Sequence, residues 1–368
     1  MAVRQADRIL DDIVNKRGRG EPIRRKLAVN KERNWLLGLT LNSFARFADK
    51  AALTDAEQSI IDAFKKNGFS DAEIRDYGAT AKKIPQKVRD EIFPAGFAKI
   101  KAVSLADVKR DAPAIVKSIL AQPNVTNLDV PAIHAGNRTL RDFPIVNRAT
   151  AREFSSEILV ATEPAVAGAA PAAASPRYKI KATKFKCIDR QTDSFFGPSD
   201  EIYWIFGSLG AGLTPNTTTA VTTRTGIFGN VDNGDIRSFS DSDGCIWGQN
   251  CAPQQFPDGE IGSLIQLWEH DSSNPEEIRK GVAAAFAAAA GILLASGVAA
   301  WVGAVVGGVG AVLQWILGFL DDDHIADQTI VFTRQMVDSQ LKKSATTNRR
   351  FSDGDGDFLL TITMSRVT

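Results

Sequence analysis

The sequence predicts an α+β protein of two domains: a helical bundle followed by an antiparallel β-sandwich that carries a hydrophobic helical hairpin. Three observations predict this architecture. Helix-start signals are frequent before residue 160, alternating apolar patterns appear after residue 177, and no charged side chain occurs between Gly281 and Leu320. At 368 residues, the chain is long enough for two domains that each bury their own core.

The first predicted domain, residues 1–160, contains two capping boxes. Thr54 is followed three positions later by Glu57, and Ser70 is followed in the same way by Glu73. In each pair the hydroxyl accepts a backbone N–H, and the carboxylate reaches back to the residue that caps the helix. Further helices are predicted near residues 30–47, 86–92, 105–120 and 149–160, so a compact bundle is expected.

Charge is divided unequally along the chain. Residues 1–160 hold 28 Lys and Arg against 20 Asp and Glu, and the remainder holds 16 against 23, although the whole chain is at +1. Because parts of opposite charge suggest different partners, we expect the basic part to self-associate or to contact a delivery partner. Nucleic acid is not expected, because few aromatic residues accompany the basic side chains of the leader, Arg17, Arg19, Arg24, Arg25 and Lys26.

The first residues are charged and contain no apolar run, so a Sec signal peptide is not expected. The protein is expected to be made soluble, export by another route is left open, and the sequence does not specify a final location. Three cysteines are too few for a disulfide framework. Free thiols are the favoured interpretation, and the alternative is a small loop closed by Cys245 and Cys251 in an oxidising compartment.

A stretch rich in proline and alanine, residues 161–176, is predicted to be a linker. The pattern changes to alternation immediately afterwards. Residues 177–190 alternate and then slip by one position, as in a strand with a bulge. Further β-like runs begin near Glu201, Thr222, Ile261, Thr329 and Phe358. About seven short strands with polar turns between them predict an antiparallel sandwich over residues 177–368.

The apolar segment begins with a strong helix signal. Asn274 can cap the helix, and Pro275 suits its first position. Glu276 and Glu277 favour the positive end of its dipole. Forty residues of unbroken helix would extend about 60 Å, twice the hydrocarbon thickness of a bilayer. Glycine-rich breaks therefore predict a hairpin over residues 275–320, carried by the second domain.

A charge-free hairpin rich in alanine and glycine, inside an otherwise soluble chain, resembles the hydrophobic hairpin of colicin-type pore-forming toxins. The resemblance covers residues 281–320 and lies in composition, without an identifying motif. It implies a hairpin that is stored inside a water-soluble bundle and enters a bilayer later. The side chains expected to enter the lipid are Phe286, Ile292, Leu293, Leu294, Trp301, Val305, Val306, Leu313, Trp315, Ile316, Leu317, Phe319 and Leu320.

Two interpretations of the hairpin remain open. In the first, a toxin-like or effector-like bacterial protein inserts it into a target membrane after a trigger such as acid, calcium or partner contact. In the second, the protein is a non-enzymatic binding or structural module of a larger assembly. The hairpin is then a permanent core or subunit interface, since alanine and glycine also permit close packing in soluble proteins. A constitutive anchor is not expected, because the flanks lack a Lys/Arg bias.

Acidic turns make calcium a candidate ligand. Asp353, Asp355 and Asp357 alternate in a glycine-rich turn, but the glycine and glutamate of an EF-hand are missing. His270 and His324 stand on the two flanks of the hairpin, next to several carboxylates, and form a candidate pH-sensing pair. The sequence has no phosphate loop, nucleophile elbow or zinc motif, so enzymatic activity is not indicated.

Overall fold

The computed structural model describes residues 20–129, 132–133, 135, 150, 153–154, 156–161, 176–190, 200–211, 218–257, 260–270, 274–296, 306, 308–313, 323–352 and 356–367. Helices and strands both occur within these residues, which confirms the predicted α+β class. The chain divides into two compact units. The first unit comprises Met1–Gln122 and Asp271–Asp323, and the second comprises Pro123–His270 and His324–Thr368.

This division differs from the predicted domains in two ways. The boundary lies near residue 122 rather than residue 160, because the strand at residues 156–161 belongs to a sheet of the second unit. The apolar segment belongs to the first unit, not to the β-rich part, because its helix packs against helices of residues 55–66 and 105–120. The predicted linker, residues 161–176, lies almost entirely outside the described residues.

The described secondary structure of the first unit is helical, apart from the start of one strand at its last residue. Its numbered helices are α1 (Gly20–Val29), α2 (Trp35–Ala48), α3 (Asp55–Lys66), α4 (Asp71–Lys82), α5 (Gln86–Ile92), α6 (Leu105–Leu120) and α7 (Pro275–Ser296). Residues 308–313 are also helical.

Both predicted capping boxes form, at the starts of α3 and α4. The hydroxyls of Thr54 and Ser70 each accept a backbone N–H three residues later at 3.2 Å. A third box at Ser104 starts α6, where Asp107 takes the place of the usual glutamate or glutamine. This third box is not predicted from the sequence, because aspartate replaces the glutamate or glutamine of the usual pattern.

The α2 and α4 helices approach closely at Gly78. A side chain here would collide with the backbone of Phe44, so glycine is required. Buried Arg89 fixes the surrounding chain, since its guanidinium donates to Asn42 Oδ1 at 2.7 Å and to the carbonyl of Ala98 at 2.6 Å. Burial lowers the pKa of Arg89 to about 10, so the side chain stays charged at neutral pH.

The second unit contains two sheets and the helix α8 (Arg334–Lys343). Its strands are β1 (Val125–Leu128), β2 (Ser156–Ala161), β3 (Arg177–Asp189), β4 (Asp200–Ala211), β5 (Thr218–Arg224), β6 (Phe228–Val231), β7 (Ile236–Ser238), β8 (Cys245–Trp247), β9 (Gln254–Gln255), β10 (Glu260–Glu269), β11 (Asp323–Thr333), β12 (Thr346–Ser352) and β13 (Asp357–Val367). The first sheet has the order β1-β2-β11-β10-β4-β5, with β6 also on β4. The second has the order β12-β13-β3-β7, with β8 and β9 also on β3.

The first sheet is mixed, whereas the sequence predicts purely antiparallel strands. The β1–β2 and β2–β11 pairs are parallel. The helix predicted at residues 149–160 is wrong over residues 156–160, which belong to β2 and lie between these two partners. Pairing with distant strands decides the conformation here, and a local pattern does not contain that information.

The other predicted strands are confirmed. In β13 the alternating residues Phe358, Leu360, Ile362 and Met364 are all buried. The predicted slip in β3 is a register shift against β13, next to Ala182. Helix α8 and strand β12 are not predicted, because their polar residues give a weak apolar pattern.

One aromatic core is shared by strands of both sheets. The ring of Trp204 in β4 lies 5.7 Å from the ring of Phe185 in β3 and 5.0 Å from that of Phe351 in β12. The same core contains apolar residues of β10, β11, β13 and α8. The two sheets are therefore held by common burial, and not only by the chain that connects them.

A buried charge pair lies beside this core. Arg349 of β12 donates to Glu157 Oε2 of β2 at 2.8 Å, and both side chains are at most 5% exposed. Gln328 of β11 donates to the same carboxylate oxygen at 2.8 Å and accepts from Arg349 at 3.1 Å. The second oxygen, Glu157 Oε1, has no hydrogen-bond partner in the described structure. The carboxylate therefore depends on Arg349 for its compensating charge.

We predict that Arg349→Met lowers the free energy of unfolding by about 3–5 kcal/mol, because it leaves a buried carboxylate without a counter-charge. Urea denaturation measures this change. The double variant Arg349→Met with Glu157→Met is expected to recover most of the loss, since apolar pairs of similar volume replace buried ion pairs well. A single variant within about 1 kcal/mol of wild type contradicts the prediction, because that is the range of an exposed pair.

Candidate functional site

The candidate site is the apolar helix α7 and the helices that enclose it. The helix starts as the sequence predicts: Asn274 Oδ1 accepts the N–H of Glu276 at 3.0 Å, and Pro275 occupies the first helical position. Acidic residues fill the first turn, at the positive end of the helix dipole. The polar start and the apolar continuation thus belong to one continuous helix.

The middle of α7 buries small side chains. Its fully or almost fully buried residues are Val282, Ala284, Ala285, Phe286, Ala288, Ala289, Ile292 and Leu293. The helix packs along α3 and, less extensively, along α6. At Gly291, a Cβ atom would lie 2.6 Å from Ser59 Oγ of α3 and 4.0 Å from Ser59 Cβ, so a larger residue would require the Ser59 hydroxyl to move. Small residues therefore set the distance between the apolar helix and its enclosure.

Helical residues beyond the first limb are enclosed in the same way. Val306, Val309, Val312 and Leu313 are buried. A Cβ atom at Gly308 would lie 3.0 Å from Leu36 Cβ, so α2 makes the close approach. Both described parts of the predicted hairpin therefore pack against N-terminal helices.

A charged contact joins the start of α7 to α4. Lys280 Nζ lies 2.5 Å from Glu73 Oε1 and 3.6 Å from Glu277. The same ammonium group lies 4.3 Å from the centre of the Phe69 ring, a cation–π contact. We call the Lys280–Glu73 pair the clamp. It fixes the polar end of α7 next to the capping box of α4.

The clamp depends on the ionisation of Glu73. Burial alone would raise the pKa of this carboxyl, but hydrogen bonds from Lys280 and Ser70 outweigh burial and lower the pKa. A lowered folded-state pKa means that the charged form stabilises the fold above the pKa of the unfolded chain. This stabilisation disappears as the pH falls through the folded-state pKa. The clamp is therefore weakened by acid.

The structure locates some of the predicted membrane-inserting residues. Phe286, Ile292, Leu293, Val306 and Leu313 are buried in the first unit. Seven of the others lie outside the described residues: Trp301, Val305, Trp315, Ile316, Leu317, Phe319 and Leu320. Leu294 belongs to α7, but its side chain is not described. Among the described residues, no helix combines the length and the apolar character needed to cross a membrane.

The two predicted pH-sensing histidines lie in the second unit, at the two ends of a series of contacts between aromatic rings. His324 lies 4.9 Å from the ring of Trp268 and 3.6 Å from the carboxylate of Asp327. Trp268 stacks on Tyr203, whose ring lies 6.4 Å from that of His270. The histidines are therefore connected through aromatic contacts, and the carboxylate of Asp327 lies next to His324.

The calcium hypothesis receives little support from the described residues. Asp353 and Asp355 lie outside them. Asp357 is buried and forms an ion pair with Arg350, so a guanidinium group already neutralises its carboxylate. Asp232 and Asp235 are paired with arginines in the same way. No group of three or more histidine, cysteine, aspartate or glutamate side chains suited to a metal occurs in the described part of the chain.

Cys245 and Cys251 form a disulfide, so the favoured interpretation of three free thiols is wrong. Cys187 is buried and outside any disulfide. The bridged loop is tight, since Asn250 and Cys251 both have positive φ. Six positions separate the two cysteines, and this spacing was the signal for the alternative that the sequence left open.

We predict that Glu73→Gln lowers the free energy of unfolding by about 0.5–1 kcal/mol at pH 7, because it removes the charge of a partly exposed pair while keeping an acceptor for the cap. The difference from wild type should vanish as the pH falls through the folded-state pKa of Glu73, and urea denaturation at several pH values measures it. The matched control is Asp71→Asn in the same helical turn, which breaks the more exposed pair with Lys65. Equal effects of the two variants contradict a special role for the clamp.

Comparisons with family models, curated protein sequences and solved structures found no match for this chain. Its function is therefore inferred from its own residues and geometry.

Proposed function

We propose that this is a toxin-like or effector-like bacterial protein that stores an apolar hairpin and inserts it into a target membrane after a trigger. The observation that carries the proposal is the enclosure of α7 by α3 and α6 through small side chains. The hairpin would perturb the membrane or form a pore. Membrane lipid is then the conditional partner of the protein.

The chemistry of the interface supports release. Alanine supplies much of the buried face of α7, and each methyl group contributes only about 0.8 kcal/mol on burial. Lipid tails provide an equally apolar environment, so the hydrophobic contribution lost on leaving the protein is largely recovered in the bilayer. What opposes insertion is mainly close packing and the clamp, and acid weakens the clamp.

The helical surroundings fit the resemblance to colicin-type pore-forming toxins. That resemblance implies a hairpin stored inside a helical bundle, and the N-terminal helices supply such an environment here. The second unit would then serve recognition, not storage. We propose that its two sheets form a β-sandwich, since they share one aromatic core.

The competing proposal is a non-enzymatic structural or binding module in which the hairpin never leaves. The close glycine contacts at Gly291 and Gly308 favour this alternative, because such contacts are easily lost and hard to restore. Light scattering with size-exclusion chromatography distinguishes the two. An obligate oligomer that ignores membranes supports the module, and a monomer that releases vesicle contents on acidification supports the insertion.

A disulfide between α3 and α7 provides the sharpest test. The Cβ position of Gly291 lies 4.0 Å from Ser59 Cβ, within the range that a disulfide spans. We predict that Ser59→Cys with Gly291→Cys forms a disulfide when oxidised and abolishes dye leakage from vesicles at acid pH. Reduction should restore leakage to the level of reduced wild-type protein.

The controls separate the effect of the engineered disulfide from the effects of the substitutions and of reduction. Each single cysteine variant reports the effect of the substitution alone. Reduced wild-type protein reports the loss of the native Cys245–Cys251 bond, and thiol titration verifies that the new bond forms. The proposal is wrong if the locked protein leaks as much as its reduced form, or if wild-type protein releases no dye between neutral pH and strong acid.

A further inference from the structure

The outward face of the second sheet exposes lysine and isoleucine side chains close to one another. Its central strand β3 directs Lys184, Lys186 and Ile188 to the solvent, and their neighbours in sequence, Phe185 and Cys187, into the core. Exposed and buried residues alternate from Lys184 to Ile188, between two register shifts of β3 against β13, so the three exposed side chains lie on one side. The face therefore combines basic and aliphatic groups.

Two isoleucines extend this face onto the neighbouring strand. Ile236 of β7 pairs directly with Lys186, so Ile188 is its diagonal neighbour across the two strands. Ile236 is 57% exposed and Ile188 is 41% exposed. On the other side of β3, Leu359 of β13 pairs with Lys186 and is half-buried. In the described structure, the only other large apolar residues that are exposed are Ile100 and Val367, so the proximity of Ile188 and Ile236 is unusual.

The lysines of this face are available for an external partner. Lys184 and Lys186 form no ion pair in the described part of the chain, and neither does Lys179 nearer the start of β3. Two other basic groups nearby already have partners: Lys181 donates to the carbonyl of Ser240 at 2.9 Å, and Arg350 pairs with an aspartate. Three positive charges therefore remain without a described partner.

We propose that this face is a docking surface for a lipid bilayer with anionic headgroups. We call it the lysine face, and it consists of Lys179, Lys184, Lys186, Ile188 and Ile236. Lysines near an anionic membrane attract its headgroups, and exposed aliphatic side chains next to them enter the interface. The outward residues described on β3, β7, β12 and β13 include no aromatic side chain, so a stacking platform for nucleic-acid bases is missing.

The inference extends the proposed function by naming anionic lipid as the partner of the second unit. It requires binding only, so it holds whether or not the apolar segment inserts. Docking and insertion also differ physically. Docking through lysines weakens with salt because exposed charges are screened, whereas burial of apolar groups is not weakened in this way.

Co-sedimentation at pH 7 with vesicles of phosphatidylcholine, with and without about 30% phosphatidylserine, tests the lysine face. Wild-type protein should bind only the anionic vesicles, and added salt should release it. Lys184→Glu with Lys186→Glu should weaken binding about 30-fold or more, since each lysine contributes roughly fivefold and the new carboxylates repel the headgroups. Ile236→Ser should weaken binding further without affecting the salt dependence.

The matched control is Lys109→Glu with Lys117→Glu, which changes the net charge equally at exposed positions of α6. It should bind almost as well as wild type. Equal losses for both double variants, or equal binding to neutral vesicles, overturn the inference. Loss of binding to a single-stranded DNA oligonucleotide, with no binding to anionic vesicles, also overturns it and identifies nucleic acid as the occupant.

The disulfide-locked variant separates this inference from the proposed function. It should bind anionic vesicles as wild type does while releasing no dye. If the lysine variant binds weakly and no variant leaks, the docking inference stands and insertion fails. If the engineered disulfide abolishes leakage but the lysine substitutions do not change binding, the insertion proposal stands and the docking inference fails.

Discussion

The need to keep a long uncharged segment away from water governs this fold. Strands β10 and β11 are neighbours in one sheet, yet the chain between them leaves that sheet and completes the helical unit. The amphipathic helices α3 and α6 each bury an apolar face, and α7 packs against both. A helix rich in buried alanine cannot remain exposed in solution, so its stability depends on N-terminal residues that are distant in sequence.

The enclosure has little chemical specificity along most of its length. Alanine supplies much of the buried surface of α7, and the larger buried side chains are few. The polar end of α7 therefore matters more than its small energy suggests, because Lys280 contacts a carboxylate, an aromatic ring and its own helix at once. A contact of this kind fixes the register of an apolar helix in the way that a single polar residue fixes a coiled coil. The same contact is the part of the interface that responds to pH.

Local patterns in the sequence predict local structure well and assembly poorly. The boxes at Thr54 and Ser70 and the alternation of β13 involve residues only a few positions apart, and the structure confirms them. Residues 156–161 form a strand because β1 and β11 lie on either side, and no nearby residue reports those partners. The apolar helix was assigned to the wrong domain for a related reason. An alanine-rich helix surface indicates that the helix is buried, but it does not indicate which other helices cover it.

The candidate sites show the same limit. The predicted membrane-inserting side chains are found by hydrophobicity alone, and those described are indeed buried. The clamp was not predicted, because 207 positions separate its partners. The lysine face lay within a recognised strand, and alternation already placed its lysines on one side. The sequence does not show that Ile236 lies next to these lysines, because it reaches this face only through a three-residue strand paired with β3.

The two proposed lipid contacts are physically complementary. The lysine face carries exposed charge, acts over about a Debye length and requires no change in the fold. The apolar helix has no charge along its buried part and can meet lipid only after its enclosure opens. A surface that first concentrates the protein at an anionic membrane reduces the entropy lost when the hairpin later meets the bilayer, because the second contact then occurs at high effective concentration. Attraction through exposed lysines at neutral pH and loosening of the Glu73 carboxylate at acid pH therefore describe two successive steps that need no shared residue.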